Sequence, residues 1–285
     1  MQKSLDKLLH ASAAEAKSAA RLRLYPATGR YEIMAANRPI FGSGWEAAEP
    51  PPARREPGEA DKGDGDDRAR RRARRRIHDL ALSNVFDYFV TLTLDGEQIN
   101  RYDPDAVGAK LRRWLSNQVQ RKGLRYILVP ELHRDGAIHF HGFMNAALPI
   151  VDSGTLTGVP GKAKPVKPRT DAQRRRWLDA GAQPVYNLPG WSLGFTTAIK
   201  LHGSYPAAVA YVCKYIGKDS RKIGGRWFYH GGDLAEPVDM PVEASVEEIA
   251  AIDGAFVTQI PAACLSLAMV RGELGESGLL DSLKY

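Results

Sequence analysis

From Phe86 to Asp95 apolar and other positions alternate. Phe86, Tyr88, Val90, Leu92 and Leu94 fall on one face, and Asp87, Phe89, Thr91, Thr93 and Asp95 on the other. That period of two predicts a strand with one polar face. Pro104 then opens a stretch in which Val107, Leu111, Trp114, Leu115 and Val119 recur at helical spacing, with Lys110, Arg112, Arg113, Arg121 and Lys122 outside and Gly123 at the end. Residues 125–133 are alternating or continuously apolar, Arg134-Asp135-Gly136 is turn chemistry, and residues 137–144 alternate again, which predicts an antiparallel hairpin. A further strand is expected over residues 192–202, a helix over 206–218 and a closing strand near 226–230. This order of elements predicts an α+β domain on a central antiparallel sheet with flanking helices.

The ends of the chain are patterned differently. Residues 4–24, rich in Ala, Lys, Arg and Leu, predict a helix of modest amphipathicity. Residues 38–67 shift to Pro, Gly, Glu and Asp and read as a linker. Residues 149–190, dominated by Gly, Pro, Lys and Arg, read as a long loop. Its Lys162, Lys164, Lys167, Arg169 and Arg174 to Arg176 are a candidate nucleic-acid contact. Beyond residue 232 the pattern is less regular, and residues 246–252 form the one helix expected there. The chain thus divides into an N-terminal helical and linker extension (1–67), a basic helix (68–83), a central domain (84–232) and a C-terminal extension (233–285).

Charge sharpens this picture. The net charge of +7 over 285 residues leans toward an anionic partner. Seven arginines, Arg68, Arg70, Arg71, Arg72, Arg74, Arg75 and Arg76, fall within nine positions, with no acidic residue inside the run. A helix carrying them could lie along DNA phosphates; the alternative is a solvated charged helix. The only cysteines, Cys213 and Cys264, are too few for a disulfide framework or a Cys-rich zinc site. No apolar run of about 18 residues and no signal-peptide block is present, so a cytoplasmic protein with no membrane partner is expected.

The hairpin carries the first candidate chemistry. His139, His141 and Phe143 share one face of its second strand, and Ile138, Phe140 and Met144 the other. With a three-residue loop and Gly136 left-handed, His133 pairs with Ala137, and Glu131 falls opposite His139 at a Cβ separation of roughly 4.5–5.5 Å. Two imidazoles and a carboxylate suit a divalent metal with open positions, Mg or Mn if oxygen ligands complete the shell and Zn otherwise. A two-residue loop would instead flip Glu131 to the opposite face and leave the third ligand to another residue such as His133.

The second candidate lies in the helix over 206–218. Val209, Val212, Cys213 and Ile216 fall on one side, and Tyr211, Lys214, Tyr215 and Lys218 on the other. Each tyrosine has a lysine three positions on. A phenol attacks a phosphodiester only with help in losing its proton and in neutralising the phosphate. A divalent metal and a nearby lysine supply that help. If the apolar side packs on the sheet, the tyrosines face away from the histidines. The helix must then sit obliquely, or have its apolar side covered by the C-terminal segment.

With Phe89-Val-Thr-Leu-Thr-Leu-Asp95, His139-Phe-His141 and Tyr211-Val-Cys-Lys-Tyr-Ile-Gly-Lys218 in that order, the chain resembles the HUH endonucleases. Within them the resemblance is specifically to rolling-circle replication initiator (Rep) proteins of bacterial plasmids and prophages, over roughly residues 84–232. The resemblance implies a five-stranded antiparallel sheet and a Mg or Mn site on His139, His141 and Glu131. It also implies nicking and rejoining of single-stranded origin DNA through a 5′-phosphotyrosine, leaving a 3′-OH that primes synthesis. Tyr211 and Tyr215 are the implied nucleophiles and Lys214 and Lys218 their helpers, with the leading tyrosine left open. No Gly-x-x-x-x-Gly-Lys-Ser/Thr loop occurs, so a fused helicase is not visible and unwinding would fall to the host; a host helicase and polymerase are the expected protein partners. Related chemistry in a transposase or relaxase, or a non-catalytic DNA-binding regulator, are the alternatives.

Overall fold

The structure is a computed structural model that describes residues 20–37, 59–217, 221–242, 244–260 and 265–273. The strands are β1 (Ala20–Tyr25), β2 (Arg30–Ala36), β3 (Tyr88–Leu94), β4 (Tyr126–Leu132), β5 (Ile138–Met144), β6 (Val151–Thr157), β7 (Gln183–Asn187), β8 (Gly194–Lys200), β9 (Tyr229–Gly231), β10 (Val238–Val242), β11 (Phe256–Ile260) and β12 (Leu265–Glu273). The helices are α1 (Glu59–Leu82), α2 (Pro104–Lys122), α3 (Asp171–Asp179), α4 (Tyr205–Lys214) and α5 (Val246–Ala250). The class is α+β as expected, divided into two compact units.

The larger unit holds a sheet of seven strands in the order β6-β7-β8-β3-β5-β4-β9, in place of about five. Every pairing in it is antiparallel. The core face of β3, with Tyr88, Val90, Leu92 and Leu94, joins Ile138, Phe140 and Met144 of β5 and Val107, Leu111, Trp114 and Leu115 of α2 in one apolar cluster. Asp103 caps α2 by accepting from the backbone N–H of Asp105 and Ala106, and Gly123 ends it in the left-handed conformation at φ 66°. The opposite face of the sheet is only half-buried along Phe89, Thr91 and Thr93, and the functional residues gather there.

The segment over residues 149–190 is not a loop. It contains β6, α3 and β7, added to the sheet edge beside β8. Two features conceal it in the sequence. A register shift between Asp152 and Thr155 breaks the alternation of β6, and α3 buries no residue fully, so it shows no apolar stripe. The helix begins instead on a polar signal, Thr170 accepting from the backbone N–H of Gln173.

The smaller unit corrects the reading of both chain ends. Residues 20–24 lie in a strand, and β1, β2, β12, β11 and β10 form a second antiparallel sheet in the order β10-β1-β2-β12-β11. Ala20, Leu22 and Leu24 are buried on β1, while Arg23 of the same strand bonds Asp239 of β10 at 2.6 Å. In the same unit the buried carboxylate Glu32 is held by Arg271 at 2.9 Å. The helix expected over 246–252 is α5, closed by a reciprocal capping box between Ser245 and Glu248. The rest of the helix expected over 4–24 lies outside the described residues. So do residues 38–58 of the expected linker, whereas residues 59–67 form the first turns of α1. No helix among the described residues is long and apolar enough to cross a membrane.

Candidate active site

The β4–β5 hairpin has the three-residue loop. Gly136 sits at φ 85°, its N–H donates to His133 O at 2.8 Å, and His133 N–H donates to Ala137 O at 2.8 Å. A residue with a Cβ rarely adopts that φ, so Gly136 sets the register. Glu131 therefore pairs with His139, and Val129 with His141. Asp135 fastens the turn by accepting from Ala137 N–H at 3.0 Å.

Strand β3 lies on the other side of β5, pairing Thr91 with His141 and Thr93 with His139. The hydroxyl of Thr91 is 3.0 Å from His141 Nδ1 and that of Thr93 is 3.3 Å from His139 Nδ1. A hydroxyl can donate or accept, so each threonine orients its ring in either tautomer while Nε2 stays available. His141 Nε2 lies 2.8 Å from Glu131 Oε2. Burial pushes the His141 imidazole down to about 4, which keeps it neutral, the form that ligates metals. The same imidazole–carboxylate contact would favour a charged pair. Burial also pushes the Glu131 carboxyl up, with His139 and His133 pulling it down, so the 2.8 Å approach is a close contact rather than a firm ion pair. His139 is lowered as well, first by burial and then by the neighbouring His133 and His141, with Glu131 and Asp135 opposing. Its ring stacks on His133 at 5.2 Å between centroids.

The tyrosines face the histidines. Tyr215 stacks on His141 with centroids 4.4 Å apart and planes 5° from parallel, and its hydroxyl donates to Tyr211 Oη at 2.9 Å. Tyr211 packs edge-on against Phe89 at 5.7 Å while half its surface stays exposed. Burial raises the Tyr215 phenol, and the hydrogen bond to Tyr211, the Tyr211 oxygen and the Glu131 carboxylate raise it further.

This orientation is possible because the apolar side of α4 packs against α1. Val209, Val212 and Ile216 are buried, as are Ala73, Ile77, Leu80 and Ala81 of α1. Arg74 Nε donates to Ile216 O at 2.6 Å, Cys213 Sγ approaches Arg74 O at 3.7 Å, and Tyr205 Oη donates to Ala81 O at 3.0 Å. The helix ends at Lys214 rather than at 218. A tightened turn follows, in which Tyr215 N–H bonds Val212 O and Ile216 N–H bonds Cys213 O. That turn carries Tyr215 over His141.

Of the other predicted site residues, Lys214 is exposed and lines an open cleft of about 700 Å³ beside Tyr211 and Tyr215. Glu131, His133, Arg134 and Arg221 share that cleft. Lys218 lies outside the described residues, as does Cys264. The arginine run is divided in role. Arg70 pairs with Asp67 and lies over the Trp227 ring, Arg75 pairs with Asp79 at 3.0 Å, and Arg74 holds the end of the tyrosine helix. Arg68, Arg71 and Arg72 are exposed, and Arg76 is partly so. In the stretch expected as a loop, Arg174 pairs with Asp152 at 2.6 Å. Sequence reasoning missed Thr91, Thr93 and Arg74 as partners of the site. The signal for the threonines was present, since both fall on the polar face of the strand before the hairpin.

The donor chemistry of Glu131, His139 and His141 suits Mg or Mn, and the 2.8 Å between Glu131 and His141 is near the ~3 Å between neighbouring ligands of such an ion. The three donors are not drawn to one point. Among the described residues no group of three His, Cys, Asp or Glu side chains is disposed to hold a metal ion. His139 is engaged instead with Thr93 and His133.

Neither a curated protein nor a solved structure matches the chain. The family of replication-associated proteins of the ORF2 type matches residues 87–220, from the start of β3 to just past the tyrosines. Over that stretch the chain is similar to replication-associated proteins, which supports the resemblance to rolling-circle replication initiators drawn from its three motifs.

Proposed function

We propose that the chain is a divalent-metal-dependent endonuclease and strand transferase that nicks single-stranded origin DNA to start rolling-circle replication. The observation that carries this reading is the stacking of Tyr215 on His141 with Tyr211 bonded to it, which sets two phenols against the His-Phe-His strand. A Mg or Mn ion held by Glu131, His141 and a reoriented His139 would neutralise charge on the scissile phosphate. Tyr211 is the leading nucleophile, because its hydroxyl is the acceptor of the Tyr215 hydrogen bond and it is the more exposed of the two tyrosines lining the cleft with Lys214 and Arg134. In the step, the bond from Tyr211 Oη to phosphorus forms and the bond from phosphorus to O3′ breaks. The phenol's proton leaves to solvent and the 3′ oxygen takes one up, giving a 5′-phosphotyrosine and a free 3′-OH. The hydrogen bond from Tyr215 stabilises negative charge as it develops on Tyr211. Tyr215 then serves the second transesterification. The exposed arginines of α1 and the cations of the cleft bind the DNA backbone.

Incubating the protein with single-stranded origin DNA from its replicon and Mn, then resolving protein–DNA adducts under denaturing conditions, tests the reading. A covalent adduct that requires both metal and tyrosine is expected. DNA binding without any adduct would instead favour the non-catalytic regulator.

A further inference from the structure

Three strand pairings lay four residues in one row across the sheet: Phe195 on β8, Thr93 on β3, His139 on β5 and Glu131 on β4. The next rows toward Phe89 are roofed. Tyr215 covers His141, Tyr211 covers Phe89 and Tyr205 lies against Phe143. In the first row His133 lies against His139, while among the described residues Phe195 is left open. Phe195 is 70% exposed, more than any other large apolar side chain among the described residues, and it meets no other ring there. A lone exposed apolar residue is ordinary. This one stands in the row of the candidate site, two strands from His139, a span of about 10 Å at normal strand spacing.

Its surroundings select the ligand. Directly beside it on that face stand the neutral Thr93 and Thr197, with the acidic Asp95 at the next position of that face beyond Thr93 along β3's line, whereas the cations Arg134, Lys214 and Arg221 border the cleft that also holds Glu131. A single strand crossing the row has charge for its phosphates at one end and a bare aromatic face at the other. Resting on the nicking reading above, we infer that Phe195 is the stacking platform for a nucleobase of the single-stranded DNA next to the scissile phosphate. An aromatic face among neutral threonines accepts any base, so this subsite supplies affinity and register rather than sequence choice.

Binding to a short oligo(dT) and to a fully abasic oligonucleotide of the same length, measured in EDTA, tests the subsite without any chemistry. The wild type prefers oligo(dT). Phe195→Ala weakens oligo(dT) binding by roughly 5- to 150-fold. It leaves the abasic affinity unchanged, so the preference collapses. Phe195→Trp retains the preference, and its added fluorescence is quenched by oligo(dT) and not by the abasic strand. The side chain is exposed, so unfolding temperatures of all three proteins should agree. An unchanged preference in Phe195→Ala, with wild-type binding and nicking intact, overturns the subsite and leaves the nuclease reading standing. A wild type that binds neither strand overturns both.

Discussion

The Tyr215 ring lies flat on the His141 ring, with centroids 4.4 Å apart and planes 5° from parallel. This contact joins the two motifs of the candidate site, and its flanking interactions are each open to test.

Thr91 holds the far nitrogen of the same imidazole at 3.0 Å. Thr91→Val removes the hydroxyl at nearly constant volume and should weaken Mn binding by about 10- to 100-fold. Thr91→Ser should recover most of it. Titration of Mn followed by its paramagnetic resonance reads this without DNA. Equal affinity in wild type and Thr91→Val would mean that the hydroxyl does not orient the ring.

Burial pushes His141 down to about 4, which ties stability to pH. The unfolded chain carries a histidine near its ordinary value of about 6.5, so between roughly 6.5 and 4 the unfolded state binds more protons than the folded one. Stability is therefore full above that window, falls as pH drops through it, and loses on the order of 3 kcal/mol by its lower end. In metal-free buffer the unfolding temperature of the wild type should fall more steeply from neutral to acid pH than that of His141→Gln. Parallel curves would contradict the buried neutral imidazole.

Arg74 and its neighbours should separate by role. Arg74→Ala leaves the Ile216 carbonyl without its charged donor and should cost about 1.5–3 kcal/mol. It should also lower adduct formation, because Tyr215 precedes that carbonyl. Replacing exposed Arg71 and Arg72 with Ala should leave the unfolding temperature unchanged and reduce the salt slope of single-strand binding by about 0.7 for each phosphate no longer neutralised. Identical effects of the two substitutions would show that the run acts as one charged face.

Local pattern made the site legible and left its supports hidden. The Glu131 to His139 pairing follows from turn chemistry and a period of two, both contained within the hairpin. The side of α4 that faces the histidines could not be read from its helical spacing, because that depends on α1 covering Val212 and Ile216 from more than a hundred residues away. The stretch over residues 20–24 misled for a related reason. Its Ala, Arg and Leu favour a helix locally, yet its partners on β10 lie more than two hundred residues along the chain, and pairing overrides propensity. A register shift hid β6 and a shallow, exposed surface hid α3.

The tyrosine pair carries the central claim. Tyr215→Phe removes the donor to Tyr211, worth about 0.5–1.5 kcal/mol, and should slow the first nick by roughly 2- to 13-fold while an adduct still forms. Tyr211→Phe should abolish the first adduct, and the double variant should form none. The direct measurement is mass spectrometry of peptides from wild-type protein trapped on single-stranded origin DNA in Mn. DNA attached to Tyr211 through a 5′-phosphate is the expected result; DNA attached to neither Tyr211 nor Tyr215 in a preparation that nicks would overturn the assignment of the nucleophiles.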